Sequence, residues 1–279
     1  MIADSETNLV YCSDLSYKYL KKEVTELNSI LEAYGIECRT IHGTVDYFCR
    51  DFMPIQKDLD TFVQFKFRPD YLLSNPKLMG FITDTEQVHK ANPFLHHYDI
   101  IHSDIILDGG NVIKWKDKII ITDKVIVDNP NINPASLIDE IGKLLDSEVI
   151  IIPRYPDEET GHADGLVRFI DKNTVLTISL EDEIDEWKAQ FQKALADANL
   201  KVISLPDSAD SLKDSYWGYI NFLLTGNLIV LPTFKYKSDD LMYDFFNDTF
   251  KGFEIKKFEA DRIIKNGGVL NCFTWNIKA

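Results

Sequence analysis

Apolar residues recur along this chain in two alternating rhythms. Residues 17–34 carry Leu20, Val24, Leu27, Ile30 and Leu31 at helical spacing, and residues 135–145 carry Leu137, Ile138, Ile141, Leu144 and Leu145 likewise. Residues 187–198 and 239–249 behave the same way. Most of these helices run into a short apolar strand, at 36–40, 149–153 and 201–205. Between them lie segments that read as hairpins: 48–56 with 62–67, 108–115 with 118–122, 161–170 with 174–179, 216–224 with 227–232, and 267–275. Lys116-Asp117, Asp171-Lys172-Asn173 and Thr225-Gly226 suit the reversals. The unit of helix, strand and hairpin returns about every 50–60 residues, which predicts five repeats around an axis. The competing arrangement is an ordinary α/β domain with coincidental hairpins. Residues 68–98, with several prolines and no clean period, fit the repeat least.

Composition narrows the picture. The chain has 279 residues, 45% of them hydrophobic and 12% aromatic, enough for a sizeable core and against disorder. A net charge of −15 argues against nucleic acid, whose phosphates need basic patches; it can attract cationic substrates, although keeping the protein soluble is the simpler reading. The four cysteines form neither a CxxC pair nor a disulfide framework, so a reducing compartment is expected. The N-terminus shows no basic and apolar leader, and no apolar run is long enough to span a bilayer. These signs predict a cytoplasmic protein without membrane contact.

A cysteine so near the end, five residues beyond Gly267, is ordinarily a small buried hydrophobe. Its company changes that reading. If five repeats surround an axis, the polar residues at the hairpin entries point into one cavity: Asp51, Asp108 or Asn111, His162 with Asp164, Asn221, and Cys272. A guanidinium group stays charged and offers a planar fork of donors that carboxylates grip in pairs. Asp51 and Asp164 could hold it while a Cys272 thiolate attacks its central carbon and His162 moves the protons. A free thiol titrates near about 8.5, so Cys272 would need help from the bound cation or a protonated His162. The same residues permit a protease triad of Cys272, His162 and Asn221, which leaves Asp51 and Asp164 without a task. They also permit a metal site from His162, Asp164 and Asp108; His162 and Asp164 would share one face of a strand, but spacing fixes no third ligand. His96-His97 reads as a surface pair, because neighbours on a strand face opposite ways. Cys12 and Cys38 sit in apolar strand contexts as packing groups, which leaves Cys49 as the rival thiol.

Four strings, in order and spread over nearly the whole chain, resemble the agmatine deiminase and bacterial-type peptidylarginine deiminase family. They are Cys49-Arg50-Asp51-Phe52-Met53-Pro54, Asp108-Gly109-Gly110-Asn111, Gly161-His162-Ala163-Asp164 and Gly267-Gly268-Val269-Leu270-Asn271-Cys272-Phe273-Thr274. Tyr219-Ile220-Asn221-Phe222 with Val230-Leu231-Pro232 looks like a fifth. Where the family often has His before the nucleophile and Trp near the Arg-Asp pair, this chain has Asn271 and Phe48. The resemblance implies a pentein, a five-bladed pseudo-symmetric α/β propeller with a central active site, formed by residues 1–279 as one domain. It implies hydrolysis of a guanidine to a urea and ammonia through a covalent cysteine intermediate, with no organic or metal cofactor. By motif, Cys272 is the nucleophile, His162 the acid/base, and Asp51 and Asp164 the guanidinium clamp. Asp108, Asn111 and Asn221 fall among the substrate-binding positions. Agmatine is the first expected substrate, which would serve putrescine biosynthesis, and an arginine residue of a peptide the second. Amidino transfer to an amine, a silent pentein that binds a partner, and a homodimer remain open.

Overall fold

The computed structural model describes residues 1–156, 158–181, 183–208 and 216–279. Among these, fifteen strands form five three-stranded sheets, each with the same internal order. In chain order the first complete one is β3 (Ile55–Gln56), β4 (Thr61–Lys66) and β5 (Asp99–Ile106), where β1 (Leu9–Ser13) and β2 (Glu37–Ile41) precede them. Next come β6 (Ile113–Trp115), β7 (Lys118–Thr122) and β8 (Glu148–Ile152), then β9 (Val167–Asp171), β10 (Thr174–Thr177) and β11 (Lys201–Ser204). The last are β12 (Leu223–Thr225), β13 (Leu228–Thr233), β14 (Glu254–Glu259) and β15 (Thr274–Ile277).

In every blade the first two strands pair antiparallel and the third returns parallel to the second after a crossover. The middle strands are buried almost end to end, because one face meets the crossover layer and the other meets the blade's neighbours. That double burial explains runs such as Ile119-Ile120-Ile121, which read as continuous rather than alternating. The helices supply the other layer with one apolar stripe each: Val24, Leu27 and Leu31 on Lys21–Glu32, Leu137, Ile141 and Leu145 on Pro134–Leu145, Trp187, Phe191 and Leu195 on Asp185–Asp197. Asn133 caps the Pro134–Leu145 helix by accepting from the N–H groups of Ala135 and Ser136.

Three expectations need correction. The predicted helix 17–34 is two, Asp14–Tyr19 and Lys21–Glu32, because Leu20 leaves helical geometry (φ −124°, ψ 38°) to bury its side chain. The last hairpin, predicted within 267–275, is completed from the far end of the chain: β15 pairs antiparallel with β1, which closes the ring. The hairpin entries are not strand. Cys49–Phe52 and Leu270–Phe273 are single helical turns, and Gly109–Asn111, Ala163–Gly165 and Tyr216–Ile220 are 3-10 turns. Each blade thus enters its first strand through a tight turn. Residues 68–98, the poorest fit to the repeat, hold only short helices, Asp70–Leu73 and Thr85–Ala91, with 3-10 turns.

Candidate active site

The five entry turns converge, and they bring together Asp51, Asp108, His162, Asp164, Asn221 and Cys272. A helical turn projects consecutive side chains around its axis, so one short turn can aim a single residue inward and bury its neighbours. Cys49 shows the other outcome: it is fully buried in a separate core with Tyr11, Phe52 and Phe62.

Cys272 is 8% exposed, whereas Cys12 and Cys49 are fully enclosed. Its thiol donates to Asp164 Oδ2 at 3.2 Å and accepts from Asn221 Nδ2 at 3.2 Å. The Cys272 backbone N–H donates to Asn221 Oδ1 at 3.2 Å, and the Asn271 N–H to the Asn221 carbonyl at 3.0 Å. Two blades are therefore locked together at the thiol. Asn271 Nδ2 donates to the same Asp164 oxygen at 2.7 Å. Burial, with Asp164 and Asp51 close by, pushes the Cys272 thiol well above its ordinary value.

His162 lies between two carboxylates. Its Nε2 is 3.1 Å from Asp108 Oδ2 and its Nδ1 is 3.6 Å from Asp51 Oδ1. Burial alone would drive the imidazole toward neutrality, but Asp51 and Asp108 overcome it and raise its pKa to about 10. Asp51 rises to about 8, because burial and the carboxylates of Asp108 and Asp164 outweigh the pull of His162. Asp108 Oδ1 is buried without a hydrogen-bond partner among the described residues.

Asn111 does not join this ring. Its side-chain oxygen accepts from the backbone N–H groups of Thr122 (2.9 Å) and Ala163 (3.2 Å), so it tethers the His162 turn to β7. The Asn221 side chain is engaged by Cys272 through both its nitrogen and its oxygen. The strand geometry expected for His162 and Asp164 is replaced by a 3-10 turn with His162 at its N-cap. Among the described residues no group of three His, Cys, Asp or Glu could hold a metal. His96 and His97 are exposed at the end of a 3-10 turn, as expected of a surface pair.

Three contributors had no role assigned from sequence, although Gly110 and Gly268 stand within the motifs. Tyr71 packs edge-on against the His162 ring, centroids 5.9 Å apart. Its helix is tied down through Asp70 to buried Lys124 at 2.7 Å, which also holds Asp128 at 2.9 Å. That segment has no period to reveal it. Gly110 donates its N–H to Asp51 Oδ1 at 3.1 Å, and a Cβ there would overlap that oxygen and lie 2.7 Å from His162 Nδ1. Gly268 is equally confined, since a Cβ would lie 2.6 Å from the Phe48 ring and 2.9 Å from Cys272 Cβ. Gly110→Ala is therefore expected to displace both Asp51 and His162 and to cost roughly 100-fold in turnover, with the circular dichroism spectrum unchanged. Unaltered turnover in that variant would show that these two side chains need not stand where they do.

A five-bladed α/β ring with its polar residues at the axial turns is the pentein architecture, and solved structures share it. The C. jejuni agmatine deiminase superposes with a TM-score of 0.76 at 19% identity, covering 100% of this chain and 95% of that one. An agmatine deiminase of Enterococcus faecalis gives 0.75 at 16% identity, covering 99% and 94%. A family model described as Porphyromonas-type peptidyl-arginine deiminase matches residues 1–277, and the chain belongs to that family. Among curated relatives, a protein of Legionella pneumophila provisionally named agmatine deiminase is 28% identical over 62% of this chain and 56% of its own length. One of the same provisional name from Marinomonas is 26% identical over 64% and 58%. The chain thus spans less than two thirds of the length of these relatives. No helix among the described residues is long and apolar enough to cross a membrane.

Proposed function

We propose that this protein hydrolyses the guanidinium group of a small cationic substrate, agmatine before peptidyl arginine, to the ureido product and ammonia. Residues 1–279 act as one catalytic domain, with Cys272 as nucleophile. The observation that carries the reading is the pairing of a nearly enclosed thiol with a surplus of buried carboxylates. Cys272 touches Asp164, and His162 is flanked by Asp51 and Asp108. Such a cluster favours a cation beside it: Asp51 keeps its proton up to about pH 8 because burial and two like charges oppose its ionisation. A guanidinium ion removes that opposition and favours the Cys272 thiolate in the same step.

The steps then balance. Cation binding lets the Cys272 thiol release its proton to solvent, and the thiolate's electron pair attacks the guanidinium carbon, forming a C–S bond as a C–N π bond opens to a tetrahedral adduct. His162, protonated in the resting site, gives its proton to one terminal nitrogen as the C–N bond breaks, and ammonia leaves. The remaining S-alkyl thiouronium is attacked by water, whose proton returns to His162. The C–S bond breaks as the adduct's hydroxyl proton passes to the departing sulfur, which restores the Cys272 thiol and releases the neutral urea. Asp51 and Asp164 hold the planar substrate throughout, and the unpaired Asp108 Oδ1 leaves a further acceptor for a guanidinium N–H.

The test is ammonia and ureido-product release from agmatine, free arginine, and peptides with internal or terminal arginine. Equal amounts of the two products from agmatine are expected. Free urea with the parent amine and no ammonia, or no turnover of any guanidine by folded protein, would overturn the proposal.

A further inference from the structure

Beneath the thiol lies a second buried charge cluster that the reaction above does not use. Lys114 on β6 and Arg168 on β9 are each the second residue of the first strand in neighbouring blades, and Arg50 comes from the turn that carries Asp51. All three are at least nine-tenths buried. Asp4, from the N-terminal 3-10 turn, is the acid that pairs with them: Oδ2 accepts from Arg168 at 3.1 Å, and Oδ1 is 3.3 Å from Lys114 Nζ. The arginines also reach upward. Arg50 Nε donates to the Asn271 carbonyl at 3.1 Å and Nη2 to Asn276 Oδ1 at 2.6 Å, gripping both sides of the Cys272 turn. Arg168 Nη1 donates to the Phe222 carbonyl at 2.9 Å, with its guanidinium 4.5 Å from the centroid of the Phe222 ring. Each arginine therefore holds the carbonyl next to one partner of the Asn221–Cys272 lock.

We propose that Arg50 and Arg168 are positioning residues that hold this lock closed, and that the cationic cluster, moderated by Asp4, sets the field in which the Cys272 thiol ionises. The proposal rests on Cys272 being the nucleophile. Three cations face one anion here, and in a low-dielectric interior an uncompensated positive charge favours a nearby thiolate. The opposing groups lie on the substrate side: Asp164 and His162 from one turn, Asp51 from another, Asp108 ahead of the third, and the Tyr71 phenol over His162. Arg168 lies within the field of both Asp164 and Cys272. The thiol thus sits between an anionic layer that a substrate cation neutralises and a basic layer fixed in the fold, where burial lowers the pKa of Lys114 and Arg168 against the pull of Asp4. The signal was present in the sequence as a lone basic residue between apolar neighbours at matching repeat positions, Ile113-Lys114-Trp115 and Val167-Arg168-Phe169.

The test is the pH dependence of Cys272 alkylation by iodoacetamide, read by peptide mass mapping, in wild type, Arg168→Gln, Arg168→Lys and Asp4→Asn. No substrate enters the measurement, so it succeeds or fails independently of whether any guanidine is turned over. Arg168→Gln should slow alkylation at a fixed neutral pH by about tenfold, and Arg168→Lys should recover most of it. Asp4→Asn keeps the shape of the acid but uncovers the cations, so it should speed alkylation. Opposite signs for the two neutralising variants are the mark of a field, because loosened packing would move both the same way. If Arg168→Gln does not fold, Asp4→Asn and Lys114→Met carry the same pair of signs. Shifts in one common direction, or no shift in either, would overturn the proposal.

Discussion

Cys272→Ser is expected to lower guanidine hydrolysis by about a million-fold, the scale on which removing a covalent nucleophile acts. The serine hydroxyl would occupy the same place between Asp164 and Asn221, but it ionises far less readily than a thiol and would sit in the same acidic surroundings. The other thiols offer no substitute. Cys12 and Cys38 face each other with their sulfurs 3.9 Å apart, and Cys49 is enclosed in a different core where burial keeps it protonated. A haloacetamidine, which carries a guanidinium-like cation into the carboxylate pocket, should therefore label Cys272 first, and agmatine should protect it. Peptide mapping reads the outcome. Label on Cys49, or a serine variant with wild-type turnover, would leave the covalent mechanism without a nucleophile.

How much of this was readable beforehand follows from what each feature depends on. The helices were legible because each keeps one apolar stripe, as Leu137, Ile141 and Leu145 do. The parallel strands after them were legible as apolar runs. The entry turns were misread as strand, because a single helical turn is too short to show a period, and Phe48 to Met53 alternates no less plausibly than it coils. The closure of the ring lay beyond local reading: β1 meets β15 across almost the whole chain, and only their pairing reveals that the final hairpin is split between the termini. The candidate site was visible as motif residues at equivalent repeat positions, but not what each one touches. Asn111 and Asp108 are near neighbours in one motif, yet one ties down backbone and the other holds His162. Tyr71 and Asp4 were invisible for a further reason. Their roles come from elements that arrive from elsewhere, a short helix over the histidine and an N-terminal turn below the axis.

Asp51→Asn is expected to weaken turnover and to move its pH dependence in a direction that only this charge arrangement produces. The substitution keeps the size of the side chain and removes one of the carboxylates that would hold the substrate cation. Losing one member of a buried charge pair costs on the order of 2–5 kcal/mol when the partner is left unpaired. In the wild-type protein, kcat/KM reports the free site. It should rise as Asp51 gives up its proton near pH 8 and fall as His162 loses its own near pH 10. The sign of each limb follows from the role: the clamp must be charged, and the acid must be protonated. Asparagine has no proton to lose, so the acidic limb at about pH 8 should disappear. The same substitution removes the largest charge that raises the histidine, so the basic limb should move to lower pH. The variant should thus be slower and have its optimum shifted toward neutrality. A rate profile with both limbs unmoved would mean that Asp51 neither holds the cation nor tunes His162, and the clamp would then have to be built from Asp164 and Asp108 instead.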